Sequence, residues 1–399
     1  MNIKKWFAIA VFALSFPVLT GCWDRLEIED RGTILGLAID PIEGEMGEGI
    51  TGPYAKSDLK GYRLTAQVAI PGRIPLGPGE GSTGGGVQRP VWVVSTTGKT
   101  IDDAVNNLQQ ELADKLFLGH LRVIIVNQKL ARSTGVDDIQ DFFRRNAEIR
   151  RLAWMVISVG DASNAMAVAP KLERVPTLYL VGTMDHSVAL GKLPNVYLGN
   201  FWATFSSKGR EPVLPMIEVS GDKVESEGLA VFSGGRMVGI LNPLETAAYM
   251  EIENQRRAGY GVAVPIPGDP KHSVIVKGSN RNAKIKMHME NGRPAFDVYC
   301  MIEANIEEKT GHKHVDDIID SIGVETQDVL VKGQQELIAK MQNLHADVFG
   351  FGEYVRGRAP DYWVNQVGGS RVKWDEMFAT TPVHVHVRVY MRRSGMSTH

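Results

Sequence analysis

Near the carboxy terminus, valines at 383, 385, 387 and 389 alternate with His384, His386 and Arg388, the period-two pattern of a strand with one buried and one solvated face. The same alternation runs through Ala283–Met289 and through Phe296, Val298, Cys300, Ile302, Ala304 and Ile306, with Asn291-Gly292 between them as a hairpin turn. Leu330, Leu337, Met341, Leu344 and Val348 then keep helical spacing on one face. These patterns predict an antiparallel sheet with a long helix packed across it.

Earlier in the chain strands and helices alternate. Thr33–Asp40 and Tyr62–Ile70 read as strands, and the glycine-rich run from Gly77 to Gly86 sits in a loop before a strand at Val91–Val94. Thr100 opens a helix as its N-cap, with Asp103 three residues on, and Ile101, Ala104, Val105, Leu108, Leu112 and Leu116 give it one apolar face. A strand at Leu121–Val126, a helix at Val136–Asn146 and a strand at Leu152–Val159 complete a β-α-β order that favours a parallel crossover. The stretch 170–215, with Pro170, Pro176, Pro194, Pro212 and Pro215, then shows only weak periodicity and predicts a domain boundary within or just after it. Beyond it, Gly228–Phe232 and Arg236–Leu241 pair around Gly234-Gly235, with a helix at Leu244–Gln255 behind them. Gly259–Pro270, holding three prolines, reads as a second linker.

The predicted fold class is therefore α+β or mixed α/β in three domains. An N-terminal mixed sheet with helices occupies 22–205, a small ββα middle domain 206–270, and a C-terminal antiparallel sheet with its packed helix 271–399.

Residues 1–21 change the setting. Lys4 and Lys5 precede an apolar run from Trp6 to Leu19, and Leu19-Thr20-Gly21-Cys22 closes it. The run is shorter than the roughly 20 apolar residues a spanning helix needs, and Pro17 interrupts it. It reads as a lipoprotein signal peptide removed ahead of Cys22, whose two acyl chains would hold the body on a bilayer. The alternative is an ordinary export signal with an incidental cysteine. The remainder has globular composition, 43% hydrophobic and 23% charged, and a net charge of −2 attracts neither nucleic acid nor anionic lipid. Of two cysteines, Cys22 is the lipid-attachment candidate, which leaves Cys300 unpaired as a small core residue.

Catalytic patterns fail on inspection. Gly98-Lys99-Thr100 resembles the end of a phosphate-binding loop, but Val93 stands where that loop needs its first glycine. His384 and His386 share a strand face and His312 and His314 repeat the spacing, with no third ligand in sequence reach, so a polar strand face is the better reading than zinc. No Gly-x-Ser-x-Gly elbow or His-Glu-x-x-His helix occurs, and acidic pairs such as Glu307-Glu308 and Asp316-Asp317 read as solvated surface. No cofactor is expected.

Two segments carry a resemblance. Cys22, Trp23, Asp24, Arg25, Leu26, Glu27 and Ile28 resemble the mature amino terminus of the Ger(x)C family, the lipoprotein C subunits of spore nutrient-germinant receptors. Ala346-Asp347-Val348-Phe349-Gly350-Phe351-Gly352-Glu353, Arg356, Pro360, Trp363 and Trp374-Asp375-Glu376-Met377-Phe378 are similar to the family's C-terminal motifs in order and spacing. The resemblance implies a lipid-anchored, non-enzymatic subunit on the outer face of the spore inner membrane. It also implies two integral-membrane partners, of A and B type, in a complex that starts germination. A lipoprotein enzyme acting on wall polymer and a transporter's solute-binding lipoprotein are the rivals; the second should show two similar doubly wound lobes. From the residues themselves, Gly350 or Gly352 is expected to supply the left-handed residue that ends the long helix. Trp363 and Trp374 either seal the core or anchor a partner.

Overall fold

The structure is a computed structural model, and it describes residues 31–42, 61–70, 90–170, 173–257 and 259–392. Cys22, Trp23, Asp24, Arg25 and Glu27, the glycine-rich run from Gly77 to Gly86 and the signal segment lie outside the described residues.

Among the described residues nine strands form the first sheet: β1 (Arg31–Pro41), β2 (Tyr62–Ala69), β3 (Val91–Gly98), β4 (Lys115–Phe117), β5 (Val123–Asn127), β6 (Trp154–Ser158), β7 (Val213–Ser220), β8 (Lys223–Ser233) and β9 (Arg236–Leu241). Their order is β3-β2-β1-β5-β6-β7-β8-β9, with β4 alongside β1. The centre, β1-β5-β6-β7, is parallel and both flanks are antiparallel. The central strands β5 and β6 are buried at every residue, as strands covered on both faces must be, and they read in sequence as unbroken apolar runs.

The helices include α1 (Ile101–Glu111), α2 (Gln128–Ser133) and α3 (Asp137–Arg145). Thr100 caps α1 as its sequence predicts: its Oγ1 accepts from the Asp103 N–H at 3.1 Å, and the Asp103 carboxylate accepts from the Lys99 N–H at 2.8 Å. The expected proline-broken stretch instead folds into α4 (Pro176–Ala189) and α5 (Leu198–Phe205) before entering β7. Pro176 sits in the first turn of α4, where a proline lacks nothing a helix needs.

The expected middle unit has its ββα order, β8, β9 and then α6 (Pro243–Ile252), but its strands continue the first sheet through β7 and form no sheet of their own. A boundary at 205/206 therefore cuts no sheet free.

The second sheet has the order β10-β11-β12-β13: β10 (Gly261–Ile266), β11 (Asp269–Glu290), β12 (Arg293–Lys309) and β13 (Val383–Met391). Asn291 and Gly292, both at positive φ, turn β11 into β12 as expected. Two expectations need correction. The supposed linker 259–270 is largely the edge strand β10, and edges are where sheets tolerate prolines such as Pro265. The last strand runs parallel to β12, because the chain crosses back over the sheet in the long helix α7 (Val315–Asn343) and three short helices before β13. Those are α8 (Phe351–Arg358), α9 (Pro360–Asn365) and α10 (Arg371–Phe378).

The two sheets share a core. One cluster of buried apolar side chains runs from Val123, Ile125 and Val156 of the first sheet through Leu229 and Val231 to Phe296, Ile322, Leu337 and Val387 of the second. The other face of the first sheet has its own cluster, with Ile34, Leu64, Leu108 and Phe143. Among the described residues no helix is long and apolar enough to cross a membrane.

Candidate functional site

The segment 347–353 lies where the two sheets meet. α7 ends at Asn343, and the left-handed residue beyond it is His345 (φ +51°); the next N–H, from Ala346, donates to Met341 O at 3.0 Å. His345 is thus the helix stop. Gly350 is left-handed too (φ +76°), but it is the N-cap of α8, so it starts a helix and ends none.

The chain beyond α7 is organised around Asp347, which is fully buried. Its Oδ1 accepts from Gly350 N–H at 2.8 Å, while its Oδ2 accepts from Gly352 N–H and from the Trp374 indole N–H, each at 2.8 Å. Its carbonyl accepts from Glu211 N–H, also at 2.8 Å. Burial pushes the Asp347 carboxyl up, against the pull of these N–H donors.

Gly352 is held by packing. A Cβ there would lie 2.5 Å from Trp374 Nε1 and 2.7 Å from Gly209 Cα. Two backbones touch at this point, and Glu353 joins them: its N–H donates to Gly209 O at 3.2 Å, and its Oε1 accepts from Gly209 N–H at 2.9 Å and from the Ser207 hydroxyl at 2.5 Å. Partial burial would raise the Glu353 carboxyl, but Ser207, Arg356 and the Gly209 N–H together hold it below the ordinary value.

A second carboxyl pair lies beside Asp347. Glu211 and Asp375 are both buried, and Glu211 Oε2 accepts from Gly234 N–H at 3.0 Å. Burial pushes both carboxyls up, Asp375 further because the Glu211 charge faces it, and Arg371, 3.4 Å from Glu211 Oε1, pulls Glu211 back. Their mutual interaction lowers the Glu211 carboxyl and raises that of Asp375, so Asp375 is the member that holds a proton more tightly. Arg371 also donates to the carbonyls of Phe205 and Ser207, so the 205–211 connector is gripped from α10. Beside it Arg210 donates to the Tyr249 hydroxyl at 3.2 Å and pairs with Glu253.

The aromatic residues seal the same place. Phe351 packs against Phe296 (centroids 4.6 Å apart) and Phe349 (5.5 Å), and Trp363 against Trp374 (6.1 Å). Phe349, Phe351, Trp363 and Trp374 are all buried, so the tryptophans take the core role, and the structure brings Phe349, Gly350, Phe351, Gly352, Glu353, Trp363, Trp374 and Asp375 into one junction. Sequence reading missed Glu211, Arg371, Ser207 and Gly209. Asp347 and Asp375 stood inside recognisable motifs, but no periodicity marks a buried carboxylate or links residue 211 to residue 375.

The histidines fall elsewhere. His386 lies on the exposed face of β13 with Nε2 2.8 Å from Asp297 Oδ1, and its ring stacks on Tyr299 at 4.7 Å. His288 Nδ1 reaches the same aspartate at 3.3 Å. Cys300 is buried, with Sγ 3.5 Å from Gln334 Oε1, and burial pushes its thiol up to about 12, which suits a core residue and no nucleophile. Among the described residues no group of three or more His, Cys, Asp or Glu is placed to hold a metal ion.

Two family models match the chain nearly end to end. "Spore germination protein N-terminal domain" covers residues 24–219, and "Spore germination B3/GerAC like, C-terminal" covers residues 227–395. The two matches abut in the β7–β8 hairpin. Spore germination protein KC of Bacillus subtilis (strain 168) is 24% identical over 99% of this chain and 97% of its own length. Spore germination protein B3 of the same organism is 25% identical over 96% of this chain and 95% of its own. The crystal structure of the GerBC protein superposes with a TM-score of 0.57 at 19% identity, covering 90% of this chain and 97% of that one, a likeness of fold.

Proposed function

This chain belongs to the Ger(x)C family of spore germination proteins, and from that membership we propose that it is the lipid-anchored, non-enzymatic C subunit of a spore nutrient-germinant receptor. The carrying observation is the match of both family domains in order over residues 24–219 and 227–395, together with full-length relatives named as spore germination proteins. On this reading Cys22 carries the lipid, with Trp23, Asp24, Arg25 and Glu27 next to the bilayer on the outer face of the spore inner membrane. Two integral-membrane subunits, of A and B type, are its partners. The junction at Asp347 has a fitting role: it fixes the two sheets relative to each other, so that a partner meets one rigid surface.

The solute-binding rival loses its basis. It requires two similar doubly wound lobes, whereas among the described residues two unlike sheets, of nine and four strands, share a core.

Affinity purification of the intact complex from spores, with crosslinks mapped onto this chain, tests the proposal. Two polytopic membrane proteins should co-purify, and recovery of none would contradict it. Cys22→Ala should release the protein from membranes and impair germination, because it removes the residue that carries the acyl chains on this reading. A Cys22→Ala protein that stays on membranes and supports full germination would remove the lipid anchor from the proposal.

A further inference from the structure

The net charge of −2 is an average over the whole chain and does not say where the charges lie. On the second sheet they separate by face. Alternation along β11, β12 and β13 turns Ile285, Val298, Cys300, Val385 and Val387 to the shared core. The opposite face carries Lys284 and Lys286 on β11 and Arg388 on β13, and between them on β12 stand Tyr299 and Met301, 37% and 53% exposed.

The two acids on this face already have partners. Asp297 Oδ1 lies 2.8 Å from His386 Nε2, His288 Nδ1 lies 3.3 Å from Asp297 Oδ2, and Glu303 Oε1 lies 2.6 Å from Arg392 Nη2. At the hairpin end Glu290 stands opposite Arg293 in register. The ion pairs among the described residues leave Lys284, Lys286 and Arg388 without an acid, so the face is positive on balance.

The aromatic rings stand on edge. The His386 ring stacks on Tyr299 at 4.7 Å and 16°, and the Lys286 ammonium, from the strand on the other side, lies 4.7 Å from the Tyr299 ring centre. Both ring faces are thereby taken, which leaves no platform on Tyr299 for a nucleobase or a sugar ring to stack on. What the row can offer outward is donors: ammonium groups, a guanidinium and a phenol, the groups that hydrogen-bond phosphate oxygens. Three strands about 4.8 Å apart, with outward side chains about 6.8 Å apart along each, make a patch of roughly 10 by 20 Å. That is far less than the roughly 800 Å² a specific protein partner covers. A layer of mobile phosphate headgroups needs no such area, and tyrosines are at home at its boundary.

We propose that this face is a docking surface for anionic phospholipid headgroups of the bilayer on which the chain is anchored, with Lys284, Lys286 and Arg388 as its phosphate contacts. The presence of a bilayer rests on the lipid-anchored reading above. Each Lys or Arg beside an anionic surface adds about a factor of five in affinity, so three add roughly a hundredfold. That is too little to survive washing without acyl chains. The patch orients an anchored body and does not replace the anchor, and release of Cys22→Ala from membranes is still expected.

The test is co-sedimentation of the mature chain, residue 22 onward with Cys22→Ala, with phosphatidylcholine vesicles lacking or containing phosphatidylglycerol. Binding to the mixed vesicles should be at least tenfold stronger and should weaken as salt rises past about 0.15 M. The triple change Lys284→Glu, Lys286→Glu and Arg388→Glu should bring it down to the phosphatidylcholine level with an unchanged melting temperature. Lys115→Glu, Lys192→Glu and Lys223→Glu together make the same change in net charge at exposed sites off this face, and should reduce it less than threefold. Equal binding to both vesicles, or equal losses in the two triple variants, would overturn the assignment. So would displacement by inorganic phosphate at matched ionic strength, which would make the face a free-phosphate site. Binding to poly-L-glutamate but not to mixed vesicles would give the face to an acidic protein instead. The anchor takes no part in this measurement, so a negative result strikes the docking surface alone, whereas failure of the anchored reading shows in the fractionation of Cys22→Ala spores.

Discussion

Carboxylates gather at two places in this molecule. At the junction, Asp347, Glu211 and Asp375 are buried and held by backbone N–H groups, an indole and Arg371. On the outer face of the second sheet, Asp297 stands between His288 and His386, both largely exposed. The partners are as numerous and the distances as short, yet water screens the second cluster and is excluded from the first. Position relative to the core, rather than the inventory of polar contacts, decides which cluster stabilises the fold.

Asp347→Asn sharpens this contrast most. The amide keeps the shape but turns an NH₂ toward N–H donors at Oδ2 or Oδ1, and the broken buried network should cost about 3–5 kcal/mol in urea unfolding. A loss below about 1 kcal/mol would put Asp347 with the surface cluster. Gly352→Val forces a branched side chain against the Trp374 indole and Gly209, and Gly350→Val takes a β-branched residue to φ +76°; each should cost about 1–3 kcal/mol. Unchanged melting temperatures would show that the two backbones separate freely.

The acid pair gives a pH signature. In the folded state Asp375 is pushed up to about 8 and Glu211 to about 7, from 3.8 and 4.5, so the folded chain binds more protons than the unfolded one between about pH 4 and 8. Their contribution is complete below the unfolded values and is lost as pH rises through the folded ones. The melting temperature should fall from pH 5 to pH 8, and Asp375→Asn, which keeps a donor toward Glu211, should flatten that fall. Asp297 has the opposite sign: the His386 hydrogen bond holds its carboxyl below the ordinary value, so its small contribution is lost as pH falls. The smallest effect belongs to this exposed cluster. The double change His384→Thr and His386→Thr should cost less than about 1 kcal/mol, and zinc or EDTA should leave the melting curve in place. A larger loss, or a zinc-dependent shift, would erase the distinction between the clusters.

The same contrast explains what the sequence revealed. The hairpin at Asn291-Gly292, the Thr100 cap and the alternating valines of β13 were legible because each depends on residues next to one another. The direction of β13 was not, since it depends on the long crossover through α7. Prolines misled twice, at Pro176 and Pro265, where the first turn of a helix and an edge strand accept them. The junction was recognisable as motifs but not as a structure. Its parts come from 205–211, Gly234, 347–353 and 371–375, and Gly350 looked like a helix stop while His345 supplied it.

Hydrogen exchange with mass spectrometry on Asp347→Asn tests most directly whether the junction locks the two sheets together. Asp347 binds segments from both, so protection should fall in 205–211 and in 347–375 together, with β5 and β6 unaffected. Loss confined to 347–353, with 205–211 as protected as in the native chain, would contradict the lock and reduce the motif to a local turn.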